Sequence, residues 1–413
     1  MSPAARPHGL RRMVGRDPAE TGRTATPLEL LFDLTFVAAF AVTGDEAAHL
    51  VAEGQAGRAA VAFLFVAFAV CWAWVSFSWF ASAFDTDDWS FRVATLVQMV
   101  GVLVVALGAP AVFDSIGHGE RLDNGIVVAG YVVMRVAMLA QWARVAREDA
   151  IWRRTAVTMA ASIGVAQVGW VLVAVTRPPS GVLLPALVVL YALELGGPVA
   201  AQRVGGLPPW NAHHIAERYG LFALITLGEV VLGTITAVSA VVGRAGWSVE
   251  AVLVVVAGTG LAFGMWWSFF VVPAGAILQR HRGRAWAWGY GGIVLFSAIA
   301  AMGAGLHVAA YVVEGDAAIG VPGAVLTVAV PVLVATVAYF VLYAALVRSL
   351  DPFHLVLLAG TTAVLALALG LAFAGASLGW CLVVTALAPA VVVVGYETVG
   401  YRHMDVAVEA ALR

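Results

Sequence analysis

Two carboxylates stand where a lipid-immersed helix should carry none. Glu29 and Asp33 interrupt the run Thr26-Pro27-Leu28-Glu29-Leu30-Leu31-Phe32-Asp33-Leu34-Thr35-Phe36-Val37. At i and i+4 they share one helical face, a turn apart. An ionised carboxylate in hydrocarbon costs several kcal/mol unless it meets protein, water or a partner, so such a pair points to proton or ion handling. A plainer account competes for Glu29. Thr26 fits as N-cap, Pro27 as the first helical residue and Glu29 as the third, a capping box that needs no further role. Asp33, one turn deeper, has no such account.

The densest polar set follows much later, in Asn211-Ala212-His213-His214-Ile215-Ala216-Glu217-Arg218-Tyr219-Gly220 and on to Glu229. Asn211 can cap this helix. His213 and Glu217 are at i,i+4 and His214 and Glu217 at i,i+3, so at least one histidine shares the Glu217 face. Glu229 lies about 18 Å beyond Glu217 along the axis, well inside a bilayer. One reading is a proton-coupled pathway. In it Arg218 neutralises Glu29, Asp33 or Glu217 while another carboxylate loads and releases a proton, with Glu229 as the deeper relay. Arg135, mid-span, is expected to counter Glu229 or Glu194. The competing reading is that these charges pair only to fix helix register. Glu194 and Glu397 are expected near span ends, reaching water. His307, Gln98, Gln141 and Gln167 read as packed polar residues, and Trp72, Trp74, Trp79, Trp266 and Trp267 as packing or interfacial anchors.

A second chemistry is an embedded enzyme. Asp85, Asp87 and Asp88, with Arg92 close by, could hold Mg²⁺ against the diphosphate of a lipid or isoprenoid, although three aspartates in a loop can equally be solvated. His213-His214 with Glu217 lacks the H-E-x-x-H spacing of a zinc site. Nucleophile elbow, Walker loop and dinucleotide fingerprint are all missing, and no cofactor is expected.

The elements that must carry these residues are set by composition. Of 413 residues, 62% are hydrophobic and 12% charged, against about half and a quarter in soluble domains. The mean hydropathy of +0.92 agrees. The fold class is therefore all-α, a polytopic helical membrane protein. A span needs about 20 apolar residues. Cutting at charge and Gly/Pro clusters gives about twelve spans, near 27–49, 58–81, 90–113, 124–145, 152–175, 181–200, 212–242, 249–276, 286–312, 322–347, 353–374 and 378–400. A net charge of -2 and no basic stripe exclude a nucleic-acid partner. The bilayer and a small solute or ion are the expected partners. Cys71 and Cys381 fall inside spans and read as buried apolar residues.

Arginine bias puts both termini in the cytoplasm. Residues 1–25 are expected to be a disordered Arg-rich cytoplasmic tail, 26–205 and 206–402 two six-helix halves, and 403–413 a short cytoplasmic tail. Parallel duplication is suggested by Glu29 with Glu217, by Trp74-Val75-Ser76-Phe77 with Trp266-Trp267-Ser268-Phe269, and by Ala106–Pro110 with Ala301–Gly305.

Three of these stretches carry a resemblance. Pro27-Leu28-Glu29-Leu30-Leu31-Phe32-Asp33-Leu34-Thr35-Phe36-Val37 resembles the P-x-E-L-F-F-D-L-x-F-V signature of the low temperature requirement protein A (LtrA) family. Phe84-Asp85-Thr86-Asp87-Asp88 with Arg92 resembles its second motif. His214-Ile215-Ala216-Glu217-Arg218-Tyr219-Gly220-Leu221-Phe222 with Leu227-Gly228-Glu229 resembles its third, in the same order. Leu31 and Tyr219 stand where the family usually has Phe. The resemblance implies a bacterial polytopic inner-membrane protein linked by name to growth in the cold, and brings no settled biochemical activity with it.

Overall fold

The computed structural model describes residues 9–119 and 121–412. Among them there is no strand, and the helices are α1 (Pro27–Ala52), α2 (Ala56–Phe84), α3 (Trp89–Gly117), α4 (Gly125–Glu148), α5 (Arg153–Thr176), α6 (Ser180–Gly205), α7 (Ala212–Ala245), α8 (Val249–Phe270), α9 (Ala274–Arg280), α10 (Ala285–Glu314), α11 (Val321–Val347), α12 (Pro352–Phe373), α13 (Leu378–Gly395) and α14 (Tyr401–Leu412). They make 12 spans of 22 to 35 residues, each long and apolar enough to cross a bilayer. The eighth span runs through α8 and α9, and the last passes from α13 through a π-helical turn at Tyr396–Gly400 into α14. The twelve-span polytopic reading therefore holds. Residues 403–412, expected as a short tail, are helical.

The chain forms two compact units. The first combines the chain up to Ala39 with Trp72–Ile215, and the second combines Phe40–Cys71 with the chain from Ala216 onward. The second unit thus takes in a stretch expected in the first six-helix half.

Helix ends follow local chemistry. Thr26 and Glu29 form the reciprocal box: the Thr26 N–H donates to Glu29 Oε2 at 2.8 Å and the Glu29 N–H to Thr26 Oγ1 at 3.2 Å. Asp88 caps α3 by accepting from the Phe91 N–H at 2.9 Å, and Asp351 caps α12 from the Phe353 N–H at 2.9 Å. Asp87, ahead of the α3 cap, holds a left-handed φ of 49°, which Asp tolerates better than most residues.

Within the first unit α3 and α4 approach through glycines. A Cβ on Gly130 would lie 2.6 Å from both the Gly101 carbonyl oxygen and the Val105 nitrogen. Backbone cannot yield there as a side chain would, and small residues are what let membrane helices come this close. Gly130→Ala is expected to lower stability by about 1–3 kcal/mol through overpacking, measured as thermal unfolding in one detergent. An unchanged midpoint would mean that the two helices do not need this approach.

Residues 1–8 of the expected tail lie outside the described residues. Residues 9–25 are held against the first unit. The Arg11 N–H donates to Asp88 Oδ2 at 3.0 Å, the Gly15 N–H to Asp149 Oδ2 at 2.9 Å, and the Arg12 guanidinium to the Glu148 carbonyl at 2.9 Å. Met13 is fully buried. The Arg-rich composition reads this stretch as a disordered tail; its order comes from backbone N–H groups meeting loop carboxylates far along the chain.

Candidate functional site

In the first unit the start of α1 meets the start of α7. Glu29 and His214 are both fully buried, with His214 Nε2 3.2 Å from Glu29 Oε1. The histidine is positioned by its own helix end, since its backbone N–H donates to Asn211 Oδ1 at 3.0 Å. Asn211 in turn donates through Nδ2 to the Glu20 carbonyl at 2.8 Å, tying the N-terminal stretch to this corner. One turn deeper, Asp33 accepts from the Trp74 indole at 2.7 Å, and Phe32 packs on Phe77 with ring centroids 3.9 Å apart. Glu29 therefore both caps α1 and faces an imidazole. Of the two candidate histidines it is His214 that turns inward, while His213 is exposed. Trp74, expected as an anchor, is instead a donor to the buried carboxylate.

The acidic loop does not converge. Asp88 is taken by Arg144, whose Nη2 lies 2.6 Å from Asp88 Oδ2, and by the α3 cap. Asp87 accepts from Arg92 Nε at 3.0 Å. Asp85 is buried, accepts from the Asp87 N–H at 2.7 Å and stands 3.9 Å from Arg23 Nη2. Among the described residues no three His, Cys, Asp or Glu side chains are grouped to hold a metal ion. The Mg²⁺ expectation is corrected accordingly: each carboxylate is turned to a different cation or backbone donor. Burial, then the negative charge of Glu29, pushes the Asp85 carboxyl up to about 6, against the pull of Arg23. For Asp88 burial acts the same way, but the Arg144 guanidinium and the Phe91 and Arg11 N–H groups outweigh it and hold the carboxyl well below its usual range.

Also in the first unit, Arg135 finds Glu194, not Glu229. Its Nη2 is 3.3 Å from Glu194 Oε2, with both side chains about 3% exposed. Glu194 accepts further from Trp72 Nε1 at 2.8 Å, Gln167 Nε2 at 3.1 Å and Trp170 Nε1 at 3.3 Å. The Arg135 guanidinium also contacts Tyr131, lying 4.7 Å from that ring's centroid. The expectation that Glu194 reaches water is thus overturned. Its place near a span end suggested solvent, whereas donors from α2, α4 and α5 close around it. The spacing held a signal: Gln167 with Trp170 at i,i+3 and Tyr131 with Arg135 at i,i+4 each put polar groups on one face.

In the second unit Glu217 is half-buried and Arg218 fully buried. Glu229, midway along α7, is 1% exposed. Its neighbours are ones the sequence did not single out for chemistry. His307 Nε2 lies 3.7 Å from Glu229 Oε1, and His307 Nδ1 lies 3.6 Å from Asp45 Oδ1. Glycines make the fit: a Cβ on Gly303 would come within 2.5 Å of the Glu229 carbonyl oxygen, and one on Gly44 within 3.1 Å of Glu229 Oε1. His307, read as a packed polar residue, faces two carboxylates.

Comparison with known proteins places the chain in a family. The chain is 28% identical over 213 residues to an uncharacterized protein of Rhizobium meliloti (strain 1021), a match covering 49% of each. It spans about half the length of that curated relative. No solved structure matches the chain. The family model described as bacterial low temperature requirement A protein (LtrA) matches residues 24–389, taking in all three motifs and the helices that carry these buried charges. The chain belongs to the bacterial LtrA family and is a multi-pass membrane protein.

Proposed function

We propose that the protein is a proton- or ion-coupled permease for a small solute, set in the bacterial inner membrane with both termini cytoplasmic. The observation that carries the reading is the Glu29–His214 pair, fully buried between α1 and α7 with Asp33 a turn deeper. Ionisable groups in spanning helices are costly, and where they persist they mark ion and proton routes more often than stability. A carboxylate facing an imidazole can take up a proton and give it back, because the charge each carries depends on the other. Arginine bias supports the orientation, with the Glu29 end toward the cytoplasm. Glu217, Arg218 and Glu229 supply further candidate coupling groups on α7, and Arg135 is read as the fixed counter-charge of Glu194.

The test is reconstitution in vesicles with a pH-sensitive dye inside and pooled solutes outside. A solute-dependent proton signal is expected. Glu29→Gln and His214→Gln should each reduce it about a hundredfold, the scale of losing one positioned proton-transfer group. Wild-type signals from both folded variants would remove this pair from any coupling role.

A further inference from the structure

We propose that Asp45, His307 and Glu229 form a proton inlet, carrying protons from the water-facing end of α1 to a carboxylate buried at the middle of α7. The inference deepens the coupled-permease reading and rests on it for its physiological use. Its geometry stands by itself within the second unit.

Asp45 is 64% exposed, His307 12% and Glu229 1%, so the three form a gradient from surface to interior. Among the described residues neither Glu229 oxygen has a hydrogen-bond partner, and neither does His307 Nε2. A bare carboxylate in that state costs several kcal/mol, a penalty relieved by a proton or by an imidazolium alongside. The two nitrogens of one imidazole face the two carboxylates, at 3.6 and 3.7 Å. These gaps exceed hydrogen-bond reach by about half an ångström, within what a side-chain rotation closes.

The transfer balances. A proton from water binds Asp45, then leaves its oxygen for Nδ1 of His307, whose Nε2 already carries one. The imidazolium releases the Nε2 proton to Glu229 Oε1. The imidazole is left neutral with its proton on Nδ1, and ring rotation resets it. No oxidant or second reactant is needed. Other titratable groups at this end are Glu46 and His49 on α1, Tyr311 and Glu314 on α10, and Asp316 just beyond α10. His49 is 3.5 Å from Glu53, and Arg244 at the end of α7 contacts the Val313 carbonyl. The acidic groups among them draw protons toward the inlet.

The experiment follows Glu229 directly by infrared difference spectroscopy on the full-length protein in lipid, with the carboxyl band identified by its loss in Glu229→Gln. After a jump to acid, His307→Gln should slow the rise of that band about a hundredfold. Asp45→Asn should slow it less, and Asp316→Asn, an exposed acid near the same end, should leave it unchanged. A band that never changes with pH, or one that rises at the wild-type rate in His307→Gln, overturns the inlet. Should His307→Gln fail to fold, the surface variant Asp45→Asn decides alone, and an unchanged rate overturns the proposal. Because no solute is involved, the outcome separates from the permease test. A His307-dependent band without solute-coupled flux keeps the inlet and removes the permease, and the converse does the reverse.

Discussion

Arg135→Met is expected to cost about 3–5 kcal/mol of stability, the usual loss when one partner of a buried ion pair is removed. The reason lies in what remains. Glu194 would keep its charge in a site where it is about 3% exposed, with the indoles of Trp72 and Trp170 and the Gln167 amide as its donors. Those three neutral donors cannot replace a guanidinium, because they bring no opposite charge to a carboxylate shut away from water. Glu194→Gln alone strands the arginine instead and should also destabilise. The double variant Arg135→Gln with Glu194→Gln removes both charges and keeps amides that can bond to each other and to the indoles. It should recover more than half of the single-variant loss. Unfolding by denaturing detergent, read by tryptophan fluorescence, measures all three. A single-variant loss under about 1 kcal/mol, the scale of an exposed pair, would show that the charges are not shut away as the geometry has them.

The second large effect is on pH dependence, and it sets two neighbouring aspartates against each other. Asp85 is raised from 3.8 to about 6 in the folded state. Its contribution is therefore full below the unfolded value and is lost as pH rises through about 6. That displacement corresponds to at most ~3 kcal/mol. Asp88 is lowered, so its contribution is present above its unfolded value and is lost as pH falls through the folded one. Between 3.8 and about 6 both contributions favour folding, which places the local optimum in mildly acidic solution. Asp85→Asn should stabilise the protein at neutral pH by up to ~3 kcal/mol and flatten the fall between pH 3.8 and about 6. Asp88→Ala should do the opposite, losing the α3 cap and the Arg144 partner and releasing residues 9–25 to protease. Equal stability of wild type and Asp85→Asn across this range would refute the buried-acid account.

Much of the site was legible one residue at a time. Glu29, Asp33, Arg135, Arg218 and Glu229 stood out because each is costly in an apolar run, and all five are buried. Their partners were less legible. His214 could not be told from His213 by spacing, since i+3 and i+4 both reach the Glu217 face. Helix rotation decided, and Asn211 at the helix start fixed it. Trp72 and Trp74 looked like anchors because tryptophan is common at membrane interfaces. Only a neighbouring helix revealed that their N–H groups end on Glu194 and Asp33. Asp45, near a helix end, carried no signal of its own, and His307 read as a packed polar residue because a lone histidine in an apolar span is ordinary.

The sequence by itself determined the number of spans, their approximate limits, the membrane class and, through three ordered motifs, the family. Those properties add up along the chain: transfer of apolar residues into lipid is local, and each stretch of about 20 reports it without reference to any other. Tertiary structure alone decided which charge answers which. Arg135 could have met Glu194 or Glu229 on sequence grounds, and the choice followed from which helices pack together. Close approaches set that packing, as where Gly101 meets Gly130 and Gly303 meets Glu229, between residues with no local means of signalling one another.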